Sequence, residues 1–466
     1  MERLWRGAEL AKRLNEMITT EGAIRHPEAD SDGDPRLIYQ RDRDRIVWAP
    51  SFKRLAQKTQ VFPQAYGDHF RRRLTHSLEV AQLATSIARN LGLNPIACEA
   101  IALAHDLGHA PFGHAGEDAL DEALHNINWD GKPTFLTRFT HYEHGIDVVS
   151  YVDSRDPDGQ ANGLHLQKPI LEGVFKHTYD HGTDQNKHKS LSFLIKHTKY
   201  TFDNNPGPLE AQVVRMCDKI SYFISDIEDG LIIGAIHVED LLEHQLLKEP
   251  LEKVISDKGL LSDWRDHRIF LRVRDQVITR LVTSLLEFSN TEVIKSPIDR
   301  IAYPIAMKDD AAKMMKDVYE RLQKGIIFKH YLVDKATRRA NHIVSCLFCQ
   351  YVRNPELIPW SFRRRYLGRA GDYSNRIKEI YQCEHEDRAK LSFAGWAAFR
   401  NEKGTACTGI VRDPVDRRVV DVICAKDYVA GMTDQFAEES FSQFVDCPAS
   451  FERWNQLSRV DAIKGG

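Results

Sequence analysis

Histidine and acidic side chains concentrate between residues 71 and 117 of this chain. Six of them are candidates for metal binding or proton transfer: His76, His105, Asp106, His109, His114 and Glu117. An adjacent imidazole and carboxylate, with another imidazole nearby, suit a divalent metal. If Asp218 supplies a further ligand, the ligand order along the chain is His76, His105, Asp106 and Asp218. This spacing predicts a metal site.

The chemistry of such a site would be hydrolysis of a phosphate ester. A divalent metal neutralises charge on phosphoryl oxygens and activates a water, and Mg²⁺, Mn²⁺, Fe²⁺ or Co²⁺ suits these donors. A general acid or base must stand near the attacking water or the leaving oxygen. We expect His114 in that role, with Glu117 three residues on as its partner. His109 would contact phosphate or support the ligands.

The elements that carry these residues are predicted to be helices. Asn94-Pro95 is a typical start for the helix before His105, and Gly92 is a typical end for the preceding one. From residue 208 to about 233, apolar residues recur at helical spacing. Asp218, Tyr222 and Asp226 follow at i, i+4 and i+8, so they share one stripe of that helix and can line a pocket.

Composition favours a soluble, mostly helical protein. The chain has 466 residues, 42% hydrophobic and 28% charged, with a net charge of −3, so no overall basic field favours nucleic acid. No apolar run reaches the roughly 20 residues that span a bilayer. Eight scattered cysteines suit a reducing compartment, and we expect a cytoplasmic protein. Cys346 and Cys349 are predicted to face the core of a helix rather than to bind zinc.

The predicted fold class is all-α, with minor β-hairpin or loop elements and a C-terminal helical extension. The expected segments are an N-terminal helix with the segment where substrate enters (1–60), a catalytic core (61–240) and a C-terminal helical region at subunit contacts (241–466). An amphipathic helix is predicted at residues 1–22 and polar loops at 127–138, 153–163 and 179–190. Later helical regions are predicted at 311–352 and from about Lys426 onward.

Six segments, in order and covering nearly the whole chain, resemble the dGTP triphosphohydrolase family of the HD-domain phosphohydrolase superfamily. They are RDRDRI (Arg41 to Ile46), SFKRLAQKTQVFP (Ser51 to Pro63), RLTHSLEVAQ, AHDLGHAPFGHAGE, EAQVVRMCDKISYFISDIEDGL (Glu210 to Leu231) and DYVAGMTDQFA (Asp427 to Ala437). The resemblance implies an HD-domain fold. It also implies hydrolysis of a deoxynucleoside triphosphate, with dGTP as leading substrate, to deoxynucleoside and inorganic triphosphate.

The resemblance also implies roles for individual residues. The metal ligands become His76, His105, Asp106 and Asp218, and His114 with Glu117 becomes the catalytic pair. The implied substrate contacts are Tyr222 under the sugar, Asp226 at the 3′-hydroxyl, Gln60 at the base edge, and Arg73, Lys176 and Lys219 at the triphosphate.

The chain departs from the family pattern after the catalytic loop. Many relatives read Phe-Glu-Gly-Asn there, whereas this chain reads His141-Tyr142-Glu143-His144-Gly145, which resembles more distant vertebrate-type dNTP hydrolases. This adds His141 as a catalytic or phosphate contact and argues against strict dGTP preference. Gln435 also stands where an arginine is common, so no phosphate contact from a neighbouring subunit is carried over there.

Two alternative functions remain open at this point. One is an HD-type nucleotide phosphodiesterase or nucleotidase, although it leaves the Tyr222 and Asp226 stripe unexplained. The other is a nucleotide-sensing or single-stranded DNA-binding protein that uses Arg363 to Arg365, with Phe362 and Tyr366 to stack bases. Family members form homo-oligomers, often hexamers, so the resemblance implies an oligomer here.

Overall fold

The computed structural model describes residues 36–60, 71–127, 138–153, 163–178, 207–256, 266–295, 304–367 and 414–445. Within these ranges the chain is helical and forms no strand, and the all-α class is confirmed. Thr59 and Arg72 form an isolated antiparallel bridge. The helix predicted at residues 1–22 and most of the three predicted polar loops lie outside the described ranges. No described helix is long and apolar enough to cross a membrane.

Fifteen α-helices lie within the described ranges. In chain order they are α1 Ile38–Val47, α2 Pro50–Arg54, α3 Arg73–Leu91, α4 Pro95–Ala104, α5 Gly113–Asn126, α6 His141–Asp147, α7 Lys168–Lys176, α8 Leu209–Ile232, α9 Gln245–Ser256, α10 Phe270–Lys295, α11 Asp309–Val318, α12 Tyr331–Arg353, α13 Trp360–Leu367, α14 Pro414–Ala430 and α15 Asp434–Val445. Short π-helical turns follow α6 at Val148–Val152 and α11 at Tyr319–Gln323.

The chain divides into two compact units, each discontinuous in sequence. The first comprises Met1–His109 and Thr140–Ala336, and the second comprises Ala110–Phe139 and Thr337–Gly466. The three segments expected from the sequence stay a prediction.

Helix α4 is the centre of the first unit, where α1, α3, α7 and α8 pack around it. Its sequence, PIACEAIALA, is apolar on nearly every face, as expected for a helix surrounded by others. Asn94 caps it as predicted, since its Oδ1 accepts hydrogen bonds from the backbone of Ile96 and Ala97, both at 3.1 Å. His105 and Asp106 follow its last turn directly, so they emerge inside the core and are 1% and 4% exposed.

Two glycines let neighbouring helices approach this core closely. A Cβ on Gly108 would lie 1.9 Å from the carbonyl oxygen of His141, so only glycine lets α6 begin here. A Cβ on Gly173 would lie 2.4 Å from Ile101, so glycine also lets α7 pack on α4. These contacts bring the first residue of α6 and the last turn of α7 to the C-terminal end of α4.

Two other predictions of helix boundaries from the sequence have clear outcomes. Helix α3 ends at Gly92, which has a left-handed φ of 71°, as predicted. The helical region predicted at 311–352 is interrupted, because the π-helical turn and Gly325 separate α11 from α12. A Cβ on Gly325 would lie 2.2 Å from the carbonyl oxygen of Arg321, so this turn requires glycine.

The second unit contains α5, α13, α14, α15 and most of α12. Its last helical region begins at Pro414 and not near Lys426, because buried residues recur at helical spacing from Val420 onward. Thr433 separates α14 from α15, and its Oγ1 accepts a hydrogen bond from the Phe436 backbone at 3.3 Å.

The two cysteines of the C-x-x-C pattern lie on α12, as the sequence predicts. Both are free thiols; Cys346 is buried and Cys349 is half-buried.

Candidate metal centre and substrate site

Three helices of the first unit bring the four predicted metal ligands together. His76 comes from α3, His105 and Asp106 follow α4, and Asp218 lies on α8. His76 Nε2 is 2.9 Å from Asp218 Oδ1, while His105 Nε2 is 3.3 Å from Asp106 Oδ1 and 3.7 Å from Asp218 Oδ1. One ligand atom from each of His76, His105 and Asp106 lies within 4.8 Å of the others, and Asp218 Oδ1 lies against both imidazoles.

Hydrogen bonds on the far side of each imidazole fix its orientation. His105 Nδ1 donates to the carbonyl oxygen of Ala102 at 2.6 Å, which turns Nε2 toward the carboxylates. His76 Nδ1 lies 3.2 Å from Ser221 Oγ, and this hydroxyl donates to Glu79 at 3.3 Å. Arg71 in turn donates to Glu79 at 3.0 Å.

The donor set fits a divalent ion. His105 Nε2 is buried and forms no hydrogen bond with any residue in the described ranges, although it faces two carboxylate oxygens. The side chains of His76, His105 and Asp106 are at most 5% exposed, whereas that of Asp218 is 25% exposed. The cluster is thus closed on the protein side and open along α8, where a ligand can approach.

The charges of the cluster shift several pKa values. Burial opposes a charged imidazole, but the carboxylates of Asp106 and Asp218 raise the pKa of His105 to about 9. Against the effect of burial, His105 and Arg73 hold the pKa of Asp106 well below its ordinary value. Contacts with His105 and His76 do the same for the pKa of Asp218. Both aspartates are therefore held ionised, as metal ligands must be.

Arg73 and His109 flank Asp106. Arg73 is 1% exposed and donates through Nη1 to Asp106 Oδ2 at 2.8 Å, while its Nε and Nη2 find no hydrogen-bond partner among the described residues. His109 Nε2 lies 3.2 Å from Asp106 Oδ1. Burial, Arg73 and His141 together lower the pKa of His109 to about 3, so its imidazole is neutral.

His141 joins the cluster through His109. The two rings stack with centroids 3.8 Å apart and planes 9° from parallel. One ligand atom from each of Asp106, His109 and His141 lies within 4.8 Å of the others. The histidine that departs from the family pattern is thus placed beside the metal cluster.

His177 is a site residue that the sequence reasoning missed. It is buried, and its ring centroid lies 5.2 Å from that of His105 and 5.5 Å from that of His141. Its Nδ1 bonds the carbonyl oxygen of Val174 at 2.6 Å. The available signal was its position directly after Lys176, a predicted phosphate contact.

The predicted lysines differ in their surroundings. Lys176 is buried at the end of α7 and pairs with Glu172 at 2.8 Å, so its charge is balanced inside the protein. Lys219 is half-buried on α8, next to Asp218.

The rest of the α8 stripe leads away from the metal cluster. Tyr222 is half-buried, and Asp226 is 2% exposed. Burial and then the charge of Asp229 raise the pKa of Asp226 well above its ordinary value. Gln323 donates to Asp226 Oδ2 at 3.3 Å, while Asp226 Oδ1 is buried with no hydrogen-bond partner among the described residues.

Gln60, predicted to read the base, ends the described segment that follows α2. It is half-buried, and its Oε1 has no hydrogen-bond partner in the described part of the chain.

The predicted catalytic pair lies on the first turn of α5, in the second unit. His114 Nδ1 is 3.4 Å from Glu117 Oε2, and the side chains are 74% and 12% exposed. Phe112 precedes the helix with a left-handed φ of 64°, and its backbone N–H donates to Asp434 at 2.8 Å. A Cβ on Gly116 would lie 1.8 Å from the carbonyl oxygen of Pro111, so the turn is closely packed.

Comparison with known proteins agrees with this architecture. The HD domain family matches residues 73–222, which include the four predicted ligands. A deoxyguanosinetriphosphate triphosphohydrolase-like protein of Wolinella succinogenes is 35% identical over 367 residues, which is 77% of this chain and 94% of that protein. Proteins of the same name from Thiobacillus denitrificans and Geobacter sulfurreducens are each 34% identical. They cover 73% and 78% of this chain, and the matches span 85% and 89% of their own lengths.

The ligand order, the helical fold and relatives that match over most of their length agree with one another. The chain belongs to the deoxyguanosinetriphosphate triphosphohydrolase family of HD-domain proteins.

Proposed function

We propose that this protein is a metal-dependent dNTP triphosphohydrolase, with dGTP as leading substrate, that releases deoxynucleoside and inorganic triphosphate. The observation that carries the proposal is the convergence of His76, His105, Asp106 and Asp218 from three helices. The names of the relatives, which refer to deoxyguanosine triphosphate, support the substrate class. A divalent ion such as Mg²⁺, Mn²⁺, Fe²⁺ or Co²⁺ would supply positive charge against the phosphate oxygens.

Cationic side chains near the cluster suit a triphosphate. Two buried guanidinium nitrogens of Arg73 have no hydrogen-bond partner among the described residues, and guanidinium groups bind phosphate oxygens in a bidentate way. The remaining negative charge of the triphosphate is proposed to be bound by Lys176, Lys219 and His141.

General acid–base catalysis is assigned to His114, which Glu117 orients. His109 is assigned as a neutral phosphate contact next to Asp106. The Nδ1 of His114 faces Glu117, so its Nε2 is the atom available to exchange a proton with water or with the nucleoside 5′-oxygen.

The sugar is assigned to the rest of the α8 stripe, and the base is assigned to Gln60. Tyr222 lies one helical turn from Asp218 and would pack under the deoxyribose, leaving no room for a 2′-hydroxyl. Asp226, a further turn away, would bond the 3′-hydroxyl, and the amide of Gln60 would read the base edge.

The phosphorus product tests the reaction. Incubation with Mn²⁺ or Mg²⁺ and each dNTP should release triphosphate, and the release should stop when a chelator removes the metal. Monophosphate with pyrophosphate as the products would contradict the proposal and favour a different nucleotide hydrolase.

The assignment of the general acid or base has its own test. His114→Ala should lower kcat by about 10²–10⁴-fold with metal content unchanged, because acid–base groups contribute that much. His125→Ala, an exposed histidine in the last turn of the same helix, is the matched control and should keep full activity. Equal activity of the two variants would remove His114 from the mechanism.

Homo-oligomer formation and single-stranded DNA binding stay predictions. The structure packs Tyr366, one of the two proposed stacking aromatics, inside the second unit, where it is 5% exposed and donates to Asp427 at 2.9 Å. Native mass spectrometry with and without oligonucleotide tests both.

A further inference from the structure

Gln323 is a buried polar residue to which neither the sequence motifs nor the family resemblance assigns a role. It is 0% exposed and ends the π-helical turn Tyr319–Gln323. π-helical turns are rare and often lie at functional sites. Gly325 follows this turn, and a Cβ there would collide with the carbonyl oxygen of Arg321. The turn places the side chain of Gln323 against α8.

The amide of Gln323 is fixed in one orientation. Its Nε2 donates to the carbonyl oxygen of Phe223 at 3.0 Å and to Asp226 Oδ2 at 3.3 Å, so both amide hydrogens have an acceptor. Rotating the amide by 180° would place Oε1 against two oxygen acceptors and is unfavourable. The Oε1 atom must then point away from both contacts.

Two buried oxygen atoms are left over from this arrangement. Asp226 Oδ1 and Gln323 Oε1 are both inaccessible to solvent and have no hydrogen-bond partner among the described residues. A buried polar atom without a partner costs stability, so two on adjacent, mutually bonded side chains indicate a ligand group that completes them. The hydroxyl group of a sugar can donate to one and, through a bound water, reach the other.

We propose that Gln323 is a positioning residue for substrate specificity, which holds Asp226 so that its Oδ1 bonds the 3′-hydroxyl of the deoxyribose. This rests on the proposed function, and it adds a residue from outside α8 to the sugar site. With Oδ2 engaged by Gln323, Oδ1 is the carboxyl oxygen that remains to bond a ligand. Without Gln323 the carboxyl would be free to rotate, and the preference for a 3′-hydroxyl would fall.

The test compares dGTP with ddGTP, which lacks only the 3′-hydroxyl, in steady-state kinetics of triphosphate release. The wild-type protein should prefer dGTP by about 100-fold or more in kcat/KM, because a site built to bond a hydroxyl rejects the analogue without it. In Gln323→Met, which keeps the length of the side chain but removes its donors, that preference should shrink at least tenfold through a higher KM for dGTP. Kinetics with ddGTP should change by less than about threefold.

Two further variants guard the interpretation. Gln323→Glu keeps the shape but replaces the donating amide, and it should lose the preference as well, which covers a failure of the Met variant to fold. Gln435→Met changes an exposed glutamine whose amide bonds Glu439 at 2.8 Å and should behave as wild type.

Each outcome has a defined meaning. Equal losses with dGTP and ddGTP in the Gln323 variants would show a merely structural role and overturn the inference while leaving the proposed function intact. Equal wild-type rates with the two nucleotides would also overturn it. If the wild-type protein released no triphosphate from any dNTP, the proposed function would be wrong, and the role of Gln323 would fall with it.

Discussion

Asp218 and Asp226 lie two turns apart on α8, on the same stripe, and their environments act on them in opposite ways. Asp218 faces His76 and His105, which hold its pKa far below the ordinary value despite burial. Asp226 meets Asp229 and an uncharged amide, and burial followed by that negative charge raises its pKa. One helix thus presents an ionised carboxylate at one end of the stripe and favours a neutral carboxyl at the other.

On the proposed function, this difference would let a single helix serve two kinds of recognition. A metal ion and phosphates need fixed negative and positive charges, whereas a sugar hydroxyl needs a hydrogen-bond partner in dry surroundings. The identity of the residue is the same in both places, so the partners contributed by other helices decide which form is stable.

The largest effect is expected from exchanging each aspartate for asparagine. Asp218→Asn removes a ligand charge and should weaken metal affinity by more than about 100-fold, with kcat/KM falling by about 10³-fold. The Asp226→Asn protein should retain its metal, because Asp226 lies two helical turns from Asp218 and is not one of the four predicted ligands. Metal content by mass spectrometry after dialysis distinguishes them, and equal retention in both variants would contradict the contrast between the two ends of α8.

A smaller effect, on metal affinity, is expected from replacing one of two serines on the same helix. Ser221 links His76 to Glu79, so Ser221→Ala should weaken metal affinity by about 10–100-fold by releasing the imidazole orientation. Ser225→Ala is the matched control, because the hydroxyl of Ser225 donates to the carbonyl oxygen of Tyr222 in its own helix. Competition with a fluorescent chelator measures both, and equal affinities would mean that the hydroxyl of Ser221 does not support the metal site.

Much of this architecture could be predicted from local patterns. The start of α4 at Asn94-Pro95, the end of α3 at Gly92 and the course of α8 depend on short-range capping and periodicity, and all three are confirmed. The convergence of the four predicted ligands was predicted as well, since their order along the chain matches a known arrangement.

The supporting contacts were not predictable in the same way. Ser221 meets His76 and Glu79 across about 140 residues of chain, and Gln323 meets Asp226 across almost 100, so no local spacing reveals them. The interruption of the helical region near Gln323 had a visible signal in the sequence, which is Gly325 within a helical pattern. Side chains that orient ligands depend on long-range packing, and a single sequence does not display that packing.

The smallest effect is expected from replacing Asp229, the acidic neighbour that raises the pKa of Asp226 but not that of Asp218. Burial, with Glu228 and Glu79 acting against Arg71, raises the pKa of Asp229 from 3.8 to about 7. Between these values the folded protein holds a proton that the unfolded chain has released, so the free energy of unfolding falls as pH rises. Asp229→Asn cannot lose that proton, so relative to wild type it should gain on the order of 3 kcal/mol between pH 4 and pH 8.

Denaturant titrations at several pH values measure this difference directly. The control is Asp275→Asn, whose side chain is 72% exposed and which should follow the wild-type curve. Because the charge of Asp229 also opposes ionisation of Asp226, the same variant should lower the pKa of Asp226. The pKa values of Asp226 and Asp218 would then differ less. A pH profile for Asp229→Asn parallel to that of wild type would show that burial does not raise the pKa of Asp229, and that its negative charge opposes ionisation of Asp226 across the whole pH range.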